Sequence, residues 1–564
     1  MRRVGLIGLV LTWGLLPGAA WAADAPAEGA PAAAPLSKDV SAVAMAGCVT
    51  ASDGARPLCP TALDADAADV VEPPEAVEVG DEPPPAAEPP GLRVHVLQRL
   101  MAQQESVRPV AGPLPGEGGL APTLRAWSRT RAGLDWLHES NGFVREARAA
   151  LEFDLDRGTL EPDVADWAVN LRRANLEMTT NIGQFSAGRT VSQWGLGLVA
   201  QAGEADPMQF GMRRAGSLVD RVQYAMLPGA LWHKGDPRDA FPLAVAVAAD
   251  RVVSDDLMRA RGRLQGVTGG DDQGQQVLGA LLYRGEHLQA GTYIASRSQT
   301  DALGLTLDVV VYDLYARLAT RIRGWGVSLA GEGVVARGTT TWLRTVNQNA
   351  SDVAQFGGVV RLDLEHEGLQ LRLETGLASA DERPFDGAVR AFQFASDYRV
   401  GLVLFPSVLA ATSTQAVRNL GDPRFVGQAP DGASHIQTHG AVAQAMYLNP
   451  TLRMRVRPGL HVLAGALWAR QAGAVADPFQ SFLAGGEPRG PRGGVGGRDL
   501  GLELDGALEW RTHLWRGELR QELELLVRGD AGVLLPGDAF DNAVGVAAPA
   551  VAVVQGQAAL RWVW

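Results

Sequence analysis

Ala558-Ala559-Leu560-Arg561-Trp562-Val563-Trp564 ends the sequence and gives the plainest sign of its fold. Alternate residues of a strand point to opposite sides, so Leu560, Trp562 and Trp564 share one face and Arg561 lies on the other. A soluble protein gains little by ending on an exposed row of Leu-Trp-Trp. The last strand of a barrel set in lipid gains an apolar stripe and an interfacial aromatic anchor. The other end of the chain points the same way. Met1-Arg2-Arg3 is a positive n-region, Val4 to Leu16 an apolar h-region, and Ala20-Trp21-Ala22 a small-x-small cleavage site. Residues 1–22 are therefore expected to be a secretory signal peptide, too short in its apolar core for a lasting membrane helix.

Beyond the signal no apolar run reaches the roughly 18 residues that a spanning helix requires. An exported chain that sits in a membrane without such helices has a closed barrel as its remaining solution, because every backbone polar group must be paired in lipid. Alternating segments supply the strands. Leu151-Glu152-Phe153-Asp154-Leu155-Asp156 alternates strictly, as do Val360 to Glu365, Leu369 to Glu374, Leu452 to Arg457, Leu502 to Asp505 and Leu519 to Leu525. Each has one apolar and one charged face, the combination produced by lipid outside and water inside. The expected fold is all-β: a transmembrane antiparallel barrel of roughly 16–18 strands over 125–564. Tight turns are expected at His366-Glu367-Gly368, Arg457-Pro458-Gly459 and Arg323-Gly324. Long connections are expected at 200–217, 254–275, 378–397, 406–434 and 472–498.

Residues 23–90 carry 13 acidic and 2 basic side chains and end in Pro-rich runs, so they hold most of the formal charge of −12. Such a segment buries too little apolar surface to offset ordering and is expected to be a disordered periplasmic linker. The acidity therefore says little about what the barrel binds. Cys48 and Cys59 are the only cysteines; in an oxidising periplasm they are expected to close a local disulfide. In 91–124, Val94, Leu97, Leu100 and Met101 lie at helical spacing, and a short amphipathic helix with a linker is expected there.

The charged faces are the candidate functional residues. Arg361, Asp363 and Glu365, with Arg372 and Glu374, form a mixed-sign wall. Glu518, Arg520, Glu522 and Glu524 form a largely acidic one, and Arg453, Arg455 and Arg457 a basic ladder that no carboxylate interrupts within its strand. Opposed charged walls orient a polar solute and set ion preference, and the ladder is the expected selectivity element. Salt-bridged struts are the plainer reading of most of these residues. Catalytic and metal readings do poorly. His435 and His439 are four apart, but on a strand that separates them by roughly 13 Å. His366-Glu367 lacks the second His of a zincin motif, and the glycine clusters at 195–197 and 493–497 lack the setting of phosphate loops. No enzyme activity and no cofactor are expected, and no basic stripe with interleaved aromatics points to nucleic acid.

Three stretches carry a resemblance. Gly188-Arg189-Thr190-Val191-Ser192-Gln193-Trp194-Gly195-Leu196-Gly197 resembles a segment of large bacterial porin-like barrels. Phe394-Ala395-Ser396-Asp397-Tyr398-Arg399-Val400-Gly401-Leu402 is similar to a recurrent pre-strand segment in them. Gly532-Val533-Leu534-Leu535-Pro536-Gly537-Asp538-Ala539-Phe540 resembles their penultimate extracellular loop. The nearest groups are alginate-export-type barrels and porin-like barrels of myxobacteria. The resemblance spans about 125–564 and implies a pore of roughly 18 strands; with no substrate-binding set matched, it does not imply alginate. The terminal Leu560, Trp562 and Trp564 resemble the signal read by the barrel-assembly machinery of Gram-negative bacteria. The function expected is a porin-like channel in outer-membrane lipid for passive diffusion of polar or anionic solutes. The alternative is a non-conducting barrel that displays its loops for adhesion or partner binding.

Overall fold

A computed structural model describes residues 91–106, 108, 123–140, 142–158, 167–203, 206–211, 216–229, 241–258, 272–342, 349–383, 386–425, 433–473, 477–517 and 521–564. The expected signal peptide, the linker, Cys48 and Cys59, and Glu518 and Arg520 lie outside them. Eighteen strands form one antiparallel sheet: β1 (Gly91–Glu105), β2 (Thr123–Glu139), β3 (Val144–Gly158), β4 (Trp167–Thr180), β5 (Gly183–Ser192), β6 (Ser217–Met226), β7 (Leu243–Ser254), β8 (Gln273–Arg284), β9 (Leu288–Thr300), β10 (Thr306–Ile322), β11 (Trp325–Thr340), β12 (Ser351–His366), β13 (Leu369–Ala378), β14 (Ala445–Arg457), β15 (Leu460–Gln471), β16 (Asp499–Arg516), β17 (Glu522–Pro536) and β18 (Val551–Val563). A two-residue stub, Ala388–Val389, adds a parallel pairing to β12. Neighbours in sequence are neighbours in the sheet, and β18 returns to pair with β1 from His95↔Val563 to Glu105↔Val553. The Val94 and Trp564 backbones exchange hydrogen bonds of 2.7 and 2.8 Å at that seam. The barrel is closed.

β1 corrects the short helix expected within 91–124. Its local spacing is compatible with a helix, but the sheet needs it: without β1, both β2 and β18 would present open edges. As a strand, Leu92, Val94, Val96, Leu100 and Ala102 share one face, and the barrel begins at Gly91, not near 125.

Alternation sorts each strand. In β18 and the residue that follows it, the outer-face side chains Leu560, Trp562 and Trp564 are 39%, 38% and 59% exposed, while Val551, Val553 and Gln555 are buried. Val360 and Phe356 on β12, Leu373 on β13, Met454 and Val456 on β14, and Leu504 and Leu508 on β16 are likewise exposed apolar residues. No helix among the described residues is long and apolar enough to cross a membrane. The strands, of 10 to 18 residues, are. Trp136, Trp515, Trp562 and Trp564 are exposed near the end that holds both termini, where Trp325 stacks on His366 at 4.8 Å. Together they make an interfacial aromatic belt.

Turns at that end are tight. Arg323 and Gly324 have φ of +52° and +86°, Glu367 and Gly368 of +47° and +85°. Two successive positive φ angles are the type I′ geometry that suits strand twist. Pro458 precedes Gly459 at φ +73°, which fits a type II turn. The 227–242 connection is the long exception at this end. The opposite end carries the long connections 193–216, 255–272, 379–444 and 472–498. The two connections expected at 378–397 and 406–434 are in fact one. It contains a π-helical turn, Leu404–Leu409, that runs into α1 (Ala410–Leu420). The Phe394–Leu402 stretch belongs to this connection and precedes no strand directly. A short helix, α2 (Pro478–Leu483), lies in the next.

The apolar core is inside the barrel. Leu198 and Phe210 of the 193–216 connection meet Phe392, Phe394, Tyr398, Leu402 and Phe405 of the 379–444 connection. Inward-facing Val334, Val359, Leu463, Leu467 and Leu534 complete that cluster from the wall. Two loops therefore fold into the lumen and pack against each other.

Candidate functional site: the lumen and its infolded loops

The mixed-sign wall exists, and it is internally paired. Arg361 stands opposite Glu374 and Arg372 opposite Asp363 across β12–β13. Arg361 Nε donates to Glu374 at 2.9 Å, and Arg372 Nε to Asp363 at 2.7 Å. Both arginines also reach into the lumen. Arg372 Nη1 donates to Asp206 of the first infolded loop at 2.6 Å, and Arg361 Nη2 to the Tyr398 hydroxyl of the second at 3.1 Å. The Tyr447 hydroxyl on β14 donates to Glu374 at 2.8 Å. Burial, and after it the Glu374 carboxylate, push Tyr398 ionisation well above the usual phenol range, so its hydroxyl stays neutral beneath Arg361. Glu365 sits half-buried further along the same strand. These residues do two things at once: they brace the wall and they hold both loops.

The basic ladder divides. Arg453 is 4% exposed and donates to Glu509 of β16 and to Gln370, each at 3.4 Å. Arg455 is half-buried, and Arg457 is exposed beside the turn, past a register shift between the two. The expectation of an uninterrupted ladder considered one strand only; β16, on the far side of β15, supplies the carboxylate. The acidic wall is likewise compensated. Glu524 pairs with Arg511 at 3.2 Å, and Glu522 lies 3.7 Å from His513 and 3.8 Å from Arg561. Arg528, on β17 beside them, pairs with Asp530 at 2.8 Å and with Glu509 at 3.2 Å, and donates to the Gln209 carbonyl of the first loop at 2.6 Å.

The sequence marked both regions as long connections but not that they fold into the lumen, nor what anchors them there. Trp194 Nε1 donates to Asp313 on β10 at 3.0 Å. Ala395 N–H donates to the Leu198 carbonyl at 2.7 Å and ties loop to loop. Close approach is built into the wall as well. A Cβ at Gly357 would lie 2.3 Å from the Phe392 ring, and one at Gly465 2.6 Å from Phe210. Missed too were the ion pairs that join the charged inner faces of β1–β4. There His95 lies 3.1 Å from Asp135 and 3.0 Å from Glu152, and Arg131 pairs with Asp154 at 2.7 Å. His435 is not on a strand. It lies in the turn Ala433–Ile436, 3.1 Å from Asp301 and stacked on Trp342 at 3.9 Å. Among the described residues no group of three or more His, Cys, Asp or Glu is placed to hold a metal ion.

The class this geometry defines is a large closed antiparallel barrel with an apolar exterior, a charged inner wall and two loops folded into its lumen. No protein-family model matches the chain, and no curated protein matches it. Among solved structures it is similar to the outer membrane protein opdK of Pseudomonas aeruginosa, at 9% identity and a TM-score of 0.48, over 84% of this chain and 99% of that one. It is also similar to OccAB4 of Acinetobacter baumannii, at 7% identity and a TM-score of 0.47, over 84% and 98%. OccK2 (OpdF) of Pseudomonas aeruginosa in complex with glucuronate is similar at 10% identity and a TM-score of 0.46, over 84% and 96%. None of the three is named as an alginate-export-type or myxobacterial barrel, the kinship expected from the sequence.

Proposed function

We propose that this chain is an outer-membrane channel through which polar or anionic solutes diffuse passively. One observation carries the reading: a single closed wall presents apolar residues outward and ionised residues inward, which is stable with hydrocarbon on one side and water on the other. Wall charges would orient a solute as it passes the infolded loops. Arg455 and Arg457 supply the anion preference in this reading, since Arg453 is already paired with Glu509. Arg317, facing inward on β10 and hydrogen-bonded to the neutral Ser328 hydroxyl at 2.9 Å, adds to it. No turnover and no cofactor belong to the reading.

The same proposal removes residues 1–22 on export and leaves 23–90 in the periplasm with Cys48 and Cys59 bridged. It also has the barrel-assembly machinery read Leu560, Trp562 and Trp564. The narrower kinship with alginate-export-type and myxobacterial barrels stands on the three sequence stretches alone. A second reading has its own support. The apolar cluster that joins the two loops inside the lumen favours a closed barrel that only displays its rim. Proteoliposomes decide between them. Trapped small carboxylates leave faster than amines of equal size if the channel reading is right, and both stay trapped if the barrel only displays its loops.

A further inference from the structure

The two infolded loops are held by one repeated device. Glu332, on the inner face of β11 and 3% exposed, accepts hydrogen bonds from three successive backbone amides: Leu196, Gly197 at 3.1 Å and Leu198 at 3.1 Å. Glu503, on the inner face of β16 and fully buried, accepts from Leu402 at 2.5 Å, Val403 at 2.7 Å and Leu404 at 2.7 Å. Successive amides converge on one anion where the backbone turns through positive φ, making an anion-binding concavity. Both loops place glycine there: Gly195 at φ +52°, Gly197 at +93° and Gly401 at +68°. A Cβ at Gly195 would lie 2.5 Å from Glu332 Oε2, and one at Gly401 2.7 Å from Glu503 Oε1. The glycines thus shape each concavity and leave room for the carboxylate that fills it.

We propose that Glu332 and Glu503 are positioning residues, each seating its carboxyl group in a loop nest, and that they fix how deeply the loops sit in the lumen. A nest emptied of its glutamate should accept a free carboxylate in its place. That loop depth also sets the width of the passage rests on the channel reading above.

Amide hydrogen exchange on the full-length barrel in detergent tests the nest. In Glu503→Ala, exchange at 402–404 is expected to rise about ten- to a hundredfold, the scale of losing charge-assisted hydrogen bonds, with the strands unchanged. Acetate is expected to slow it again in that variant alone. Unchanged protection overturns the proposal, and so does a loss that acetate does not reverse, since that would mark a cavity and not a missing carboxyl group. Glu503→Gln, which keeps the shape and one acceptor oxygen, is expected to show a smaller rise and serves if the alanine variant fails to fold. A wild type without conductance would overturn the channel reading and leave the exchange result standing. Loosened amides with an unaltered single-channel current would overturn the claim about width.

Discussion

Val360→Arg separates lipid from water at the outer face of the barrel. Val360 is 51% exposed and paired in register with Gly331 and Thr375, so no packed neighbour would be displaced. It lies six residues from His366, which stacks on Trp325 in the aromatic belt. Along a strand rising about 3.4 Å per residue and tilted by about 40°, that places it about 15 Å from the belt, near the middle of an apolar band about 25 Å tall. An arginine at that depth costs about 2–4 kcal/mol, or about 30- to 700-fold in the folding equilibrium. The same substitution on a water-exposed strand would change stability by no more than about 0.5 kcal/mol. Denaturant unfolding in phospholipid vesicles, followed by tryptophan fluorescence and heat-modifiable gel mobility, reads the difference. A change within about 0.5 kcal/mol would refute the assignment of this face to lipid.

Three further outcomes follow from particular contacts. Replacing Arg455 and Arg457 by Gln shifts the reversal potential toward cations, whereas Arg453→Gln chiefly lowers stability because it leaves Glu509 short of a partner; equal effects on reversal potential would contradict the division of the ladder. Asp477, which caps α2, has its carboxyl pushed up to about 7 by burial, against the opposing amides of Gln480 and Phe479. The neutral acid is thus the form the docked loop favours. Docking of α2 on α1 through Phe479, Ala416 and Leu420 is strongest at acid pH and weakens as pH rises through about 7. Protection factors across α2, corrected for intrinsic exchange, fall between pH 5 and pH 8 in the wild type and stay level in Asp477→Asn. Trp564→Ala lowers the fraction of chains assembled in cells and leaves the current of each assembled barrel unchanged; normal assembly would remove the terminal residues as the assembly signal.

Where alternation was strict, the sequence disclosed both faces. Val360 to Glu365 and Leu369 to Glu374 place their apolar residues outward and Arg361, Asp363, Arg372 and Glu374 inward, since a period of two leaves little choice once one side meets lipid. The terminal Leu560, Trp562 and Trp564 were legible for the same reason. Closure by β1 was not, because its pairing with β2 and β18 is a long-range requirement that overrides a locally helical spacing. The partners of the charged residues were hidden too. Arg453 finds Glu509 on another strand, and Glu332 finds the amides of Leu196, Gly197 and Leu198 from more than a hundred residues away. Gly195, Gly197 and Gly401 were visible as glycines, but their use as nests depends on a wall carboxylate that no local spacing announces.

Current through purified protein in a planar bilayer, under a salt gradient, separates an open channel from a closed barrel. Steady open-channel currents whose reversal potential favours anions are expected. Silence at every voltage, from barrels shown to be inserted in the bilayer, would contradict the channel reading.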